Sequence, residues 1–381
     1  MAADSFSEIS SNSWFSRIAS SFKGILTGIL LIIVSIVLLS WNEGRAVKRY
    51  KTLKEGAGAV VSIASAQVDP SREGQLVHTS GTAVTTDSPS DSEFGISAHA
   101  LKLTRQVEMY QWKESKSKDT QKKLGGSTET VTTYKYTKEW NTRPVRSDNF
   151  QELEGHRNPA EMRFTNTSFK ASPVTVGGFT LTPSQVDMIG GAQALPFPSD
   201  YKVPSHIGES HLSPTELYIG KDPANPAIGD LKVSFAMVPE QSISLVAAQV
   251  QDSFQPYRTK VGGTINLLQS GTYSADAMIQ VAQDNNKIMT WALRAGGLLL
   301  MFIGFNLLMG PVSVLADVVP FIGNIVGIGT AIVAMMLTAI AGLITIAVAW
   351  IVFRPVLAIS LLLISGGVIY MIFKQAKSAK T

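Results

Sequence analysis

Hydrophobic positions gather at the two ends of this 381-residue chain, in Gly24–Trp41 and Ala295–Phe373, and alternate with polar ones in between. The first stretch reads GILTGILLIIVSIVLLSW, eighteen residues without a charge, bounded by Lys23 and by Asn42 and Glu43. At about 1.5 Å per helical residue, this nearly matches a hydrocarbon core of about 30 Å. Arg17 and Lys23 also suit a signal peptide, but bulky Leu38, Leu39 and Trp41 stand where a small-residue cleavage site would lie. An uncleaved anchor is therefore expected.

Lengths set the number of helices in the second stretch. Twenty-two uncharged residues follow Arg294, 36 lie between Asp317 and Arg354, and 19 run from Pro355 to Phe373. The first and last each suit one span. The middle one is too long for one span and too short for two. Because Pro320, Gly323, Asn324, Gly327 and Gly329 crowd its first third, that third reads as a bend or interfacial segment. The expected layout is a tail over 1–23, spans over 24–41, 291–312, 330–353 and 354–373, a bend over 313–329 and a basic tail over 374–381. Four spans put both termini on one side.

Residues 42–290 lack any such stretch and show strand periodicity instead. Leu101, Leu103, Arg105, Val107, Met109 and Gln111 share one face of an alternating run, and Thr128–Trp140 is dense in Thr, Tyr and Val. Gly125 and Gly126 between these runs predict a hairpin. Further strands are expected at 59–63, 75–85, 179–182, 231–238, 242–251 and 265–268, with loops and short helices between Asn149 and Asn225. Ser274 is an N-cap candidate, with Asp276 in the first turn, for a helix continuing through Trp291 into the second span. The fold class that follows is a multi-pass α-helical membrane protein of four transmembrane helices. A large β-rich α+β soluble domain sits between its first and second spans.

Charge adds little. Lys and Arg number 33 against 29 Asp and Glu, a net +4, and the basic residues cluster beside the spans. That suits anionic lipid headgroups, and no basic-aromatic cluster points to nucleic acid. Five basic residues flank the terminal ends of the spans and eight the domain ends, which taken alone favours a cytoplasmic domain. Long loops, however, cross membranes largely regardless of charge. With no cysteine, disulfides and thiolate chemistry are excluded.

Candidate chemistry is sparse. His206 and His211 are five apart, not four as in a helical zinc pair, and Ser210 lacks the closing glycine of a nucleophile elbow. No phosphate-cradling loop appears. No catalytic, cofactor or metal site is indicated, and the chain reads as a non-enzyme. The polar residues singled out lie at span ends. Trp41 would anchor at headgroup level, Asn42 and Gly44 would end the first helix, and Arg45 would reach phosphate. Alternatively Glu43 and Arg45 pair with Arg294 or another span end and fix how the first helix packs against the C-terminal bundle. Trp291, Arg354 and Pro355 mark the other span ends. His156 and Asp317 are the remaining polar candidates. Gly24 with Gly28, and Gly323 with Gly327, permit close helix approach.

Six phrases carry a family resemblance: Asn42-Glu43-Gly44-Arg45-Ala46, Val107–Trp112, Gly155–Pro159, Gly229–Phe235, Trp291–Ala295 and Arg354-Pro355. In this order they resemble the signature phrases of the transmembrane protein 43 family, also called LUMA. The resemblance implies four spans and one large domain, luminal in animal members, in the endoplasmic reticulum and inner nuclear membrane. For a bacterial source it implies the cell inner membrane and a periplasmic domain. It also implies a scaffold that organises membrane protein complexes, with membrane lipids, other membrane proteins and further copies of the chain as partners. The alternative is an ion channel or transporter built from the C-terminal helices, with Asp317 lining the pore.

Overall fold

The structure, a computed structural model, describes residues 4–356 and 358–360. Its helices are α1 (Trp14–Ala59), α2 (Pro183–Met188), α3 (Ala275–Ala316) and α4 (Pro320–Phe353). Among the described residues, α1, α3 and α4 are long and apolar enough to cross a membrane. The rest of the fourth expected span and the basic tail, from residue 361 onward, lie outside the described residues.

The chain divides into two compact units. One holds the residues up to Glu8, Glu55–Lys118 and Thr132–Gln280; the other holds Ile9–Lys54, Asp119–Val131 and the chain from Val281 on.

The first unit is β-rich. In its larger sheet, Leu231–Val238 lies antiparallel to Lys102–Lys122, with Val233 opposite Val107 and Leu231 opposite Met109. Alternate residues of both strands point inward, which is why the sequence alternates. They meet Phe94, Phe164, Phe197 and Ile207 in one apolar core. In the second sheet the pairings among Leu76–Thr85, Val174–Val176, Phe179–Thr180, Ser253–Gln255 and Gln241–Val250 close into a ring. Closure removes the free edges that a flat sheet would expose. A second core fills it, with the Phe179 and Phe254 rings stacked at 4.8 Å. The α2 helix is held by a capping box between Thr182 and Gln185.

The hairpin expected at Gly125 and Gly126 joins Lys102–Lys122 to Thr128–Asn141. Both glycines have positive φ, +86° and +79°, and Lys123 N–H donates to Ser127 C=O at 2.8 Å. The Ser274 hydroxyl accepts from Ala277 N–H at 3.2 Å and opens α3, which runs unbroken through the second apolar stretch.

Two helix ends differ from expectation. The first helix does not stop at Asn42–Gly44 but continues to Ala59. Asn42 spends its side chain on another helix rather than on a cap. Gly44 serves close packing, since a Cβ there would stand 2.8 Å from Cζ of Phe353. Residues 313–329 are not one long bend. Only 317–319 separate α3 from α4, which begins at Pro320 rather than Thr330. Pro320 falls in the first turn, where a missing N–H costs no helical hydrogen bond. Of the glycines that suggested a break, Gly327 faces α3, where a Cβ would lie 3.4 Å from Ser313 Oγ, and Gly323 faces Asp317 in the link between the helices.

Within the second unit α1 and α3 run antiparallel. A Cβ on Gly28 would stand 2.7 Å from the Gly304 carbonyl oxygen, and one on Gly304 would stand 2.9 Å from that of Gly28. Backbone meets backbone there. Gly24 is looser, with Leu307 at 3.8 Å.

Candidate functional site: buried polar clamps between the helices

Four of the span-end residues, Asn42, Glu43, Arg45 and Arg294, form a network of two adjacent sets of hydrogen bonds in the second unit. Glu43 is fully buried, as is Asn42. The Glu43 carboxylate accepts from Arg294 Nε at 2.7 Å and from Trp350 Nε1 at 2.9 Å, so one side chain of α1 holds both α3 and α4. The Arg294 guanidinium lies over the Trp291 ring at 4.7 Å and, farther off, faces the Trp350 ring at 5.9 Å. A buried carboxylate is costly unless both oxygens find donors, and here both do.

Beside Glu43 on α1, Asn42 Nδ2 donates to the Thr290 carbonyl at 3.0 Å. Arg45 donates to Asn42 Oδ1, Thr290 Oγ1 and Asn286 Oδ1 at 3.1 to 3.2 Å, and Asn286 returns a bond to the Ala46 carbonyl at 3.0 Å. Asn42, Glu43 and Arg45 therefore face α3, while Trp41 and Trp291 stay exposed. The structure thus joins Asn42, Glu43, Arg45 and Arg294. Gly44 provides the space for Phe353. Trp350, Thr290 and Asn286 belong to the network although no sequence phrase marks them; their signal is the four-residue spacing of Asn286, Thr290 and Arg294 along α3 and a single indole near the end of apolar α4.

Asp317 sits in a separate cluster between α3 and α4. Its buried carboxylate accepts from Arg17 and, at 2.7 Å, from Lys122 Nζ. Arg17 also donates to the Gly126 carbonyl, Gly125 N–H donates to Val318 C=O at 3.0 Å, and Trp14 Nε1 donates to Val314 C=O at 2.9 Å. Gly323 is required beside it, because a Cβ would overlap the Asp317 side chain. Both carboxylate oxygens are held by cations.

His156 lies in the first unit and is buried in an aromatic box. Its ring stacks on Tyr136 at 3.8 Å, meets the Trp112 edge at 4.7 Å, and reaches Asp4 Oδ2 at 2.9 Å and the Glu152 carbonyl at 3.1 Å. Both ring nitrogens have partners. Tyr136, whose hydroxyl donates to Glu114 at 2.9 Å, is pushed up to about 12 by burial and by that carboxylate.

An ion cluster in the same unit has no counterpart among the sequence candidates. Arg105 is buried and donates to both oxygens of Asp91 at 3.2 and 2.9 Å, to Glu93 at 2.6 Å and to the Thr165 carbonyl at 3.0 Å, with its guanidinium over Phe94 at 4.9 Å. The signal was present. Arg105 occupies an inward position of an alternating strand, where a charge needs a partner. Among the described residues, no group of three or more His, Asp or Glu side chains could hold a metal.

Long apolar helices tied by buried polar side chains, with a β-rich domain inserted after the first of them, define a membrane protein of several apolar helices. The family model described as Transmembrane protein 43 matches residues 109–355, and the chain belongs to that family. It is 32% identical to Transmembrane protein 43 of Homo sapiens over 365 residues, covering 92% of this chain and 88% of the human one. The Mus musculus protein is likewise 32% identical, over 357 residues and 90% and 87% of the two chains. The Transmembrane protein 43 homolog of Drosophila melanogaster is 30% identical over 371 residues, covering 92% and 94%. No solved structure matches the chain.

Proposed function

We propose that this chain is a non-enzymatic membrane scaffold, in which four spans fix the membrane unit and the β-rich domain offers a surface to other membrane proteins. The observation that carries the reading is the use made of buried polar groups. Glu43, Asn42, Arg45 and Arg294 are consumed in tying helix to helix. A catalytic or conducting site needs polar groups aimed at a substrate or an aqueous path. The lipid-facing sides of α1 and α4 carry exposed Leu26, Leu30, Ile33, Met335, Ile340 and Leu343, which suit lipid or further copies of the chain.

In this reading the domain is luminal, in the endoplasmic reticulum or inner nuclear membrane, or periplasmic in a bacterium, and the chain oligomerises through its helices. Crosslinking followed by pull-down from native membranes tests the role. A reproducible set of membrane-protein partners should be recovered with the full chain and lost when residues 55–285 are deleted. Identical recoveries from both would refute it.

A further inference from the structure

The second unit contains a cleft of about 930 Å³ whose walls come from α1, α3 and the end of α4. Its apolar lining includes Val47, Trp291, Phe353, Pro355 and Val356. Around these stand five cations, Lys51, Lys54, Lys287, Arg294 and Arg354, and no acidic side chain lines it among the described residues. Arg294 is engaged with Glu43, and Lys287 Nζ contacts Asp284 at 2.9 Å. The Nε of Arg354 is buried and has no hydrogen-bond partner among the described residues. The Arg354 guanidinium therefore carries donor capacity at the wall of the cleft that Glu43 or another carboxylate does not take up through Nε.

Placement along the chain narrows which acceptor suits it. Residues 46–54 directly follow the uncharged stretch ending at Trp41, and residues 283–294 directly precede the one beginning at Ala295. The cleft therefore falls at headgroup level if α1 and α3 cross the bilayer. We propose that it binds one anionic phospholipid, with the phosphate between Arg354, Lys51 and Lys54 and the upper acyl chain along Trp291, Phe353 and Val356. Arginine and lysine suit phosphate oxygens, and the aromatic wall suits the glycerol and acyl region. This rests on the membrane reading above and adds a specific ligand to it.

The test is native mass spectrometry of the full chain in detergent, with phosphatidylserine or phosphatidylcholine added. The wild type should retain one phosphatidylserine in preference to phosphatidylcholine. K51Q/K54Q/R354Q should weaken phosphatidylserine retention on the order of 100-fold, given several-fold per cation near a surface. Its thermal unfolding without lipid should stay close to that of the wild type, as should phosphatidylserine retention by a K113Q/K138Q control in the β-rich unit. Glycerophosphate in excess should not displace the lipid; full displacement would identify a soluble phosphate ligand and overturn the proposal. Equal retention of both lipids, or no loss in the triple variant, would overturn it as well. So would a disulfide from a Trp291→Cys variant to a second copy or to a cysteine placed at Leu363, because the cleft would then be a protein contact. Failure of the wild type to retain phosphatidylserine would overturn the proposal too, whereas extraction of the chain from vesicles by carbonate washing would count against the membrane reading itself.

Discussion

Glu43 and Arg294, 251 positions apart in sequence, meet at 2.7 Å with the carboxylate fully buried and the guanidinium only 12% exposed. Removing one member of a buried pair strands the other charge, at a cost of roughly 3–5 kcal/mol. Arg294→Met should therefore lower the melting temperature of the detergent-solubilised protein sharply. The double variant Glu43→Gln with Arg294→Met should recover much of the loss, because Trp350 Nε1 can still donate to the amide oxygen. Equal losses in single and double variants would show that the pair is not the source of the effect.

The α1–α3 crossing is set by Gly28 and Gly304. Gly28→Leu must push the helices apart, since its Cβ alone would lie 2.7 Å from a backbone oxygen that cannot move independently. Gly24→Ala should be nearly neutral, with 3.8 Å available. Overpacking typically costs about 1–3 kcal/mol, enough to separate the two variants in a thermal melt in detergent.

Arg105→Leu should destabilise the β-rich unit by about 3 kcal/mol, as Asp91 loses the cation whose Nη1 donates to both of its oxygens in a nearly dry site. Hydrogen exchange of the amides in 102–109 and 231–238 reads this directly. Unchanged protection would contradict the assigned role.

Tyr136 gives a pH prediction with a definite sign. Its pKa is raised from 10 to about 12, chiefly by burial and then by Glu114, so the folded state keeps the proton that the unfolded state gives up. Its contribution to stability is complete below pH 10 and is lost as pH rises towards 12. Comparing the ultraviolet tyrosinate titration of the wild type with that of Tyr136→Phe should show one residue missing from the late-titrating set. A difference centred near the ordinary tyrosine value would refute the burial argument.

Much of this architecture can be read from particular residues. The uncharged run Gly24–Trp41 announced an apolar helix, and the alternation from Leu101 to Gln111 announced a strand with its inward face. Ser274 and Asp276 marked where α3 begins. Helix ends were harder, because Gly44, Gly323 and Gly327 look like breakers in one dimension and act as spacers in three. The Glu43–Arg294 pair was legible as a possibility only: sequence shows two charges at span ends, while which helix faces which depends on packing across 251 positions. Arg105 with Asp91 was missed because nothing in a periodic pattern says which distant carboxylate will meet an inward arginine.

Sidedness is the central claim. A bilayer crossed once by α1 puts Asp4 and Arg17 on the face opposite the inserted domain. The structure brings Asp4 to His156 and sets Arg17 and Lys122 on one carboxylate, and neither contact can coexist with that crossing. The absence of native cysteine makes the choice directly measurable. In sealed vesicles, single cysteines at Ser7, in the tail, and at Ser127, in the hairpin, are labelled with a membrane-impermeant maleimide before and after permeabilisation. The four-span account predicts opposite protection for the two positions, with the Asp4–His156 and Arg17–Lys122–Asp317 contacts absent in the bilayer. Labelling of both from the same side would contradict it and would mean that α1 does not cross.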